Sequence, residues 1–233
     1  MRDAANPNSK PAIRALVLYP TNALVEDQVS RLRQAAYRAM DTTGSPGFYF
    51  GRYTGATPGG MWFPPEKLLA KDANRIANIG RDIADIDRES RRLANEGLEL
   101  RSQFSDPRCG EMMTRWDMIG APPDIFITNV SMLNIMLLRE VEGPIFEQTK
   151  QWLAESKDNV FSLIVDELLG YRGTQGTEVA LVVLNLLDRL GLEPDSDQLR
   201  CLGTSASFDG EEGAEYLEQF FGVDRNSFAV FPG

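Results

Sequence analysis

The sequence predicts an α/β protein built on a mainly parallel sheet with helices on its faces. Three observations carry that prediction. Short apolar runs of strand length recur along the chain, stretches with helical spacing separate them, and residues able to do chemistry gather where the runs end. Strands alternating with helices imply βαβ units.

The first run, Ile13–Tyr19, stops at Pro20, as a buried strand of a parallel sheet would. Thr21 and Asn22 can cap the helix that follows, where Leu24, Val25, Gln28, Val29, Leu32 and Ala36 recur at helical spacing. Phe48–Tyr53 reads as a second strand between Gly47 and Gly55. Asp124–Thr128 is a third, after the Pro122-Pro123 break, and Phe161–Val165 a fourth, ending at Asp166-Glu167. Leu199–Thr204 is a fifth and Phe228–Phe231 a short last one. Helical patterns cover Ser131–Glu140, Phe146–Glu155, Glu178–Leu190 and Glu212–Phe221.

Residues 61–118 interrupt this alternation. Beyond Pro64-Pro65 lies a highly charged stretch in which Ile76, Ile79, Ile83 and Ile86 step by three and four, and Leu93, Leu98 and Leu100 extend it less regularly. One or two amphipathic helices inserted between core strands account for it. Such an insertion is either a solvated excursion with one apolar stripe or an arm for a partner or a nucleic-acid strand.

Composition narrows the chemistry. A chain of 233 residues, 42% hydrophobic and 25% charged, suits one large domain or one domain with an insertion. No run approaches the roughly 18 apolar residues of a membrane span. Met1–Lys10 is polar, without a signal-peptide segment, and Cys109 and Cys201 form no CxxC pair, so a cytoplasmic protein without membrane partners is expected. The chain contains no histidine, which excludes histidine-based catalysis and most zinc or iron sites. A net charge of −10 argues against broad, nonspecific nucleic-acid binding, so any such contact should be local and geometric.

In a parallel sheet, ligands bind beyond the carboxyl ends of the strands. Those ends hold Pro20-Thr21-Asn22, Tyr53-Thr54-Gly55, Thr128-Asn129, Asp166-Glu167 and Thr204-Ser205. Nearly all the candidate residues thus fall on one edge. Paired carboxylates at a strand end are costly to bury unless a cation or hydrogen bonds compensate. A magnesium–phosphate site would compensate them, and so would a role as helix cap.

Taken in order, the motifs on that edge resemble those of superfamily 2 DExH-type helicases. Ala15–Gln28 (ALVLYPTNALVEDQ) is similar to motif Ia, Tyr53-Thr54-Gly55 stands at motif Ib, and Pro123–Leu133 is similar to the next strand and turn. Leu163–Leu169 (LIVDELL) looks like motif II. Tyr171–Ala180 is similar to the following sequence in large bacterial helicases with a C-terminal DUF1998 region, and Leu202–Ser207 (LGTSAS) fits motif III. The matches cover almost the whole chain.

The resemblance implies an incomplete RecA-like first motor domain over residues 1–233, with the 61–118 insertion inside it. It also implies roles. Asp166 would orient Mg2+ on ATP phosphates, through water, and Glu167 would polarise the attacking water. Ser205, Ala206 and Ser207 would couple nucleotide state to strand grip. Thr21, Asn22, Thr54, Gly55 and Thr128 would touch a sugar-phosphate backbone, since hydroxyls and helix N-termini bind phosphate without net positive charge. Bland alternatives stand beside these. Thr21 and Asn22 can be helix caps, Gly55, Gly173 and Gly176 turn residues, and Arg172 the partner of a core acid.

Two departures from the family matter. No GxxxxGK[ST] loop occurs anywhere in the chain, so the amide cradle and lysine for the β- and γ-phosphates are missing. The fourth position of the DExH box is Leu169. The dozen residues before the first strand are too few for the missing strand, loop and helix, and the absent strand would leave Leu199–Ser205 as an apolar edge. The expected function is therefore a portion of an ATP-dependent helicase or translocase motor, on single-stranded or duplex DNA ahead of RNA. It should be inactive alone and hold no tightly bound cofactor. A split-helicase subunit completed in trans and a non-enzymatic interaction module are the alternatives.

Overall fold

In the computed structural model, residues 10–60, 70–171, 173–205, 210–229 and 231 are described. Six strands form one sheet: β1 (Ala15–Tyr19), β2 (Phe50–Tyr53), β3 (Glu111–Met112), β4 (Ile125–Asn129), β5 (Phe161–Val165) and β6 (Leu199–Gly203). Their order is β3-β2-β4-β1-β5-β6, and every neighbouring pair is parallel. The helices are α1 (Asn22–Thr43), α2 (Ala70–Arg92), α3 (Leu98–Ser102), α4 (Arg115–Gly120), α5 (Val130–Leu138), α6 (Gly143–Glu155), α7 (Thr174–Leu190) and α8 (Gly210–Phe221). None is long and apolar enough to cross a membrane among the described residues. The α/β class and the parallel sheet are as the sequence predicts.

Alternation along β1 divides the core. Leu16 and Leu18 face a large cluster with Phe126, Leu163 and Val165, covered by α5, α6, α7 and α8 through Leu133, Phe146, Val183 and Phe221. Ala15, Val17 and Tyr19 face the other side, where Val25, Val29 and Ala36 of α1 pack on Phe50 and Ile127. Helices therefore lie on both faces.

The row of side chains Ile127, Val17, Ile164 and Leu202, each opposite the next across neighbouring strands, crosses the α1 side of the sheet. Its burial fades in that order. Ile127 is 1% exposed beneath α1, Val17 and Ile164 are half-buried, and Leu202 is 49% exposed on the outer strand.

Two features differ from the sequence expectation. The two-residue strand β3 lies inside the stretch read as helical, so residues 61–118 also supply a sheet edge. In the opposite sense, Phe228, Ala229 and Phe231 join no strand, Val230 lying outside the described residues; a short 3-10 turn, Arg225–Ser227, precedes them. An apolar run becomes a strand only where a neighbouring strand offers its backbone hydrogen bonds.

The insertion holds to the fold in two ways. Ile79, Ile83 and Ile86 of α2 line a cleft of about 130 Å³ with Pro58, Met112 and Met113, which is the use of the isoleucine stripe. Behind it, Arg33 of α1 makes a paired contact with Glu111, Nε to Oε2 at 2.8 Å and Nη2 to Oε1 at 2.7 Å. Arg33 also donates to the Ser102 carbonyl and to Ser105, and Tyr37 donates to Asp106 at 2.9 Å. This clasp is buried, with 4% and 3% of the Arg33 and Glu111 side chains exposed.

Candidate functional site

Because all strands run the same way, their carboxyl ends line one edge, and hydrogen bonds knit those ends together. Thr128 donates its hydroxyl to the Tyr53 carbonyl at 2.7 Å, joining β4 to β2. Asn129 caps α5 by accepting from Met132 N–H at 2.8 Å, and its amide donates to Asn22 Oδ1 at 2.6 Å, joining β4 to the start of α1. The Asp166 N–H donates to the Leu18 carbonyl at 3.0 Å, and Thr204 N–H to the Val165 carbonyl at 3.0 Å. The edge is continuous from β2 to β6.

The two carboxylates at the end of β5 differ in setting. Asp166 is half-buried, and its carboxylate accepts a hydrogen bond from the Thr204 hydroxyl. Its charge reaches two phenols. Burial chiefly, then Asp166, pushes the Tyr19 phenol up to about 12. Burial, Asp166 and Tyr216 raise that of Tyr171. Glu167 is exposed at φ 52°, the only non-glycine residue with positive φ among those described. That conformation costs on the order of 1–3 kcal/mol and gathers at functional sites. Here it is held by Leu168 N–H on the Thr204 carbonyl (2.9 Å) and Gly170 N–H on the Glu167 carbonyl (2.8 Å).

The five residues expected to touch a nucleic-acid backbone fall into two groups. Thr21 is exposed and stands in the N-cap position of α1 with extended φ of −136°, yet its side chain makes no cap hydrogen bond. Asn22 is exposed beside it, and Gly55 is exposed with open space where a Cβ would stand. By contrast, Thr128 is fully buried and Thr54 is 4% exposed. The Thr54 hydroxyl accepts from Ala56 N–H at 3.3 Å, and its carbonyl accepts from Arg115 at 2.7 Å. Both threonine side chains make hydrogen bonds inside the fold: Thr54 within its own turn, and Thr128 between β4 and β2.

Ser205 is half-buried at the end of β6; Ala206, Ser207 and Arg172 lie outside the described residues, as does the side chain of Leu169. Gly176 is fixed by packing, since a Cβ there would stand 2.0 Å from the Tyr171 carbonyl oxygen, and Gly173 adopts φ 73° at the start of α7. Sequence reasoning did not single out Arg115, Arg139, Glu142 or Thr57, which converge under the Thr54–Gly60 turn. Asn129 was the more legible omission, as an Asn ahead of an apolar helix is a cap signal.

Among the described residues, no three carboxylate, cysteine or histidine side chains group to hold a metal. One half-buried carboxylate with a hydroxyl partner nonetheless fits a magnesium ion that keeps waters and leans on substrate phosphates, as that ion usually does.

No family model matches the chain. The chain is similar to a segment of the Druantia protein DruE. That protein, from Escherichia coli strain UMEA 4076-1, aligns at 32% identity over 267 residues, covering 96% of this chain and 14% of DruE. Among solved structures, the DUF1998 helicase MrfA aligns at 21% identity with a TM-score of 0.48, over 91% of this chain and 22% of that one. A likeness of that size carries no argument about function. The chain thus spans about one seventh of DruE's length.

Proposed function

We propose that the chain is a portion of an ATP-dependent DNA helicase or translocase motor domain, bearing its acidic box and its strand-gripping edge but not its phosphate loop. The observation that carries this reading is the order of side chains along one sheet edge. Gly55, Asn22 with Thr21, Asp166 with Glu167, and Thr204 stand at the ends of β2, β1, β5 and β6; Thr128 and Asn129 of β4 tie the first two ends together, and Thr204 is bonded to Asp166. An exposed, uncharged strand-binding half thus adjoins a carboxylate half suited to a hydrated cation. When bound, ATP with Mg2+ would supply the phosphoryl chemistry; Asp166 would orient the hydrated ion and Glu167 would hold the attacking water. Thr204 would fix the rotamer of Asp166.

The uncovered part of the sheet supports the incompleteness. Strand-to-strand crossovers are right-handed, and here those running from the β6 side toward the β3 side, such as β1–α1–β2, put their helix on the α1 face. A strand paired outside β6 and leading into β1 would therefore lay its helix over Ile164 and Leu202. A GxxxxGK[ST] strand, loop and helix has that shape. It completes the fold equally well in cis or from a partner chain, so the split-subunit reading shares this support.

Nucleotide turnover tests the reading. The chain alone should hydrolyse no ATP. Supplied with a strand–loop–helix carrying the phosphate loop, it should show magnesium-dependent, DNA-stimulated turnover that Glu167→Gln abolishes. Turnover by the chain alone, lost in Glu167→Gln, would falsify the proposed missing element and reveal a different phosphate site.

A further inference from the structure

We propose that Arg115, seconded by Arg139, is the positioning residue of the Thr54–Gly60 turn, and so sets the shape in which Gly55 is offered to a nucleic-acid strand; the latter half rests on the function proposed above. Arg115 is 8% exposed, in the short helix that ends the insertion. Its Nη2 donates to the Thr54 carbonyl at 2.7 Å, and its backbone N–H to the Pro58 carbonyl at 2.8 Å. The guanidinium lies over the Tyr53 ring at 5.0 Å and directly against Gly60, where a Cβ would meet Nη1 at 3.2 Å. Arg139 donates from Nη2 to the Gly60 carbonyl at 3.1 Å. Three carbonyls of one turn, those of Thr54, Pro58 and Gly60, thus accept from these two arginines, while Gly55 is exposed and a Cβ built there would meet nothing within 4 Å.

The cost of holding a buried guanidinium makes a purely incidental contact a poor account. Glu142, fully buried, balances only part of the charge: Oε1 accepts from Tyr53 at 2.8 Å, and Oε2 lies 3.4 Å from Arg139 Nε without forming a hydrogen bond. Arg115 Nε likewise has no hydrogen-bond partner. Among the described residues around Tyr53, two cations against one carboxylate leave a local positive balance beneath the turn, in a chain whose net charge is −10. A planar fork that caps a carbonyl while stacking on a phenol is something lysine cannot reproduce. The arrangement therefore calls for guanidinium geometry and not for charge alone.

Hydrogen exchange on the full chain, with and without an oligothymidine strand, tests this. Arg115→Gln and Arg115→Lys should both speed exchange of the residue 54–57 amides by about tenfold or more, with β1 and α1 unchanged. The oligothymidine should protect this turn in the unsubstituted chain and fail to do so in either variant. Unaltered exchange in both variants overturns the proposal, as does full rescue by Arg115→Lys, which would make Arg115 a simple charge. If Arg115 variants do not fold, Arg139→Gln frees the Gly60 carbonyl, while also removing the cation that faces Glu142, and should loosen the turn's far end; no loosening there also overturns it. Should oligothymidine protect nothing while the variants still loosen the turn, the positioning role stands and the nucleic-acid reading falls.

Discussion

The two halves of the sheet are finished to different degrees. Around β2, β4 and β1 both faces are covered, by α1 on one side and α5 and α6 on the other, and Ile127 there is 1% exposed. At β5 and β6, among the described residues, only the side facing α7 and α8 is closed: Leu163 is fully buried, while Leu202 in the neighbouring strand is 49% exposed on the opposite face. The difference teaches where each half gets its stability. The first is fixed by a buried ion pair as well as apolar packing on both faces; the second by one apolar layer and by neutral hydrogen bonds such as those of Gln198 and Tyr216 to backbone carbonyls. The acidic box stands on the less finished half.

The sharpest way to break the comparison is to cut a clasp in the finished half. Arg33→Met leaves Glu111 buried without its partner, and stranding one charge of such a pair costs about 3–5 kcal/mol. Chemical denaturation should record a loss of that size. A loss below about 1 kcal/mol, the scale of exposed pairs, would mean the clasp is open in solution. Then the insertion would be tied to α1 by neutral hydrogen bonds such as Tyr37 to Asp106 and not by the ion pair.

Next in size is Thr128→Val. The hydroxyl is fully buried and its bond to the Tyr53 carbonyl ties β4 to β2. Leaving that carbonyl without its donor should cost about 1–3 kcal/mol in thermal or chemical melts. A neutral outcome would mean that this bond does not hold β4 to β2.

These two residues also mark how far the sequence could be read. The strands at Ala15–Tyr19, Ile125–Asn129, Phe161–Val165 and Leu199–Gly203 were legible because each is an apolar run bounded by turn residues, and the free edge at β6 followed from the absent phosphate loop. Glu111–Met112 was not legible: a two-residue strand with an acid in it has no period, and the cation that meets buried Glu111, Arg33, comes from 78 positions away. The edge bearing Thr21, Asn22, Gly55 and Asp166 was legible from strand ends alone. Which hydroxyls face inward was not, since Thr54 and Thr128 look like Thr21 in sequence and differ only in what the fold places over them. Arg115 gave no signal, as one arginine among many reveals nothing of the carbonyls it will cap.

On the less finished half, Glu167→Gly should stabilise. Glycine accepts φ 52° without the steric cost borne by a side chain there, although it also loosens the unfolded chain. A net gain of up to about 1 kcal/mol is expected, with the proposed water-holding carboxylate lost. A destabilised variant would show that Glu167 makes contacts worth more than its backbone strain.

The smallest effect belongs to Leu202, and it tests the comparison most directly. A leucine on an outer strand normally resists charge because it is buried, yet this one is 49% exposed beside half-buried Ile164. Leu202→Lys should therefore change the stability of the chain by no more than about 0.5 kcal/mol, as surface substitutions do. Its consequence should appear in association instead. An exposed apolar side chain on an edge strand invites pairing, and a lysine there opposes it. Size-exclusion chromatography across a concentration series should find less self-association in the variant, and an added strand–loop–helix should no longer dock. A melting loss as large as that of Thr128→Val would mean the face over Ile164 and Leu202 is already covered in solution. The two halves of the sheet would then be alike, and the case for a missing element would lose its structural footing.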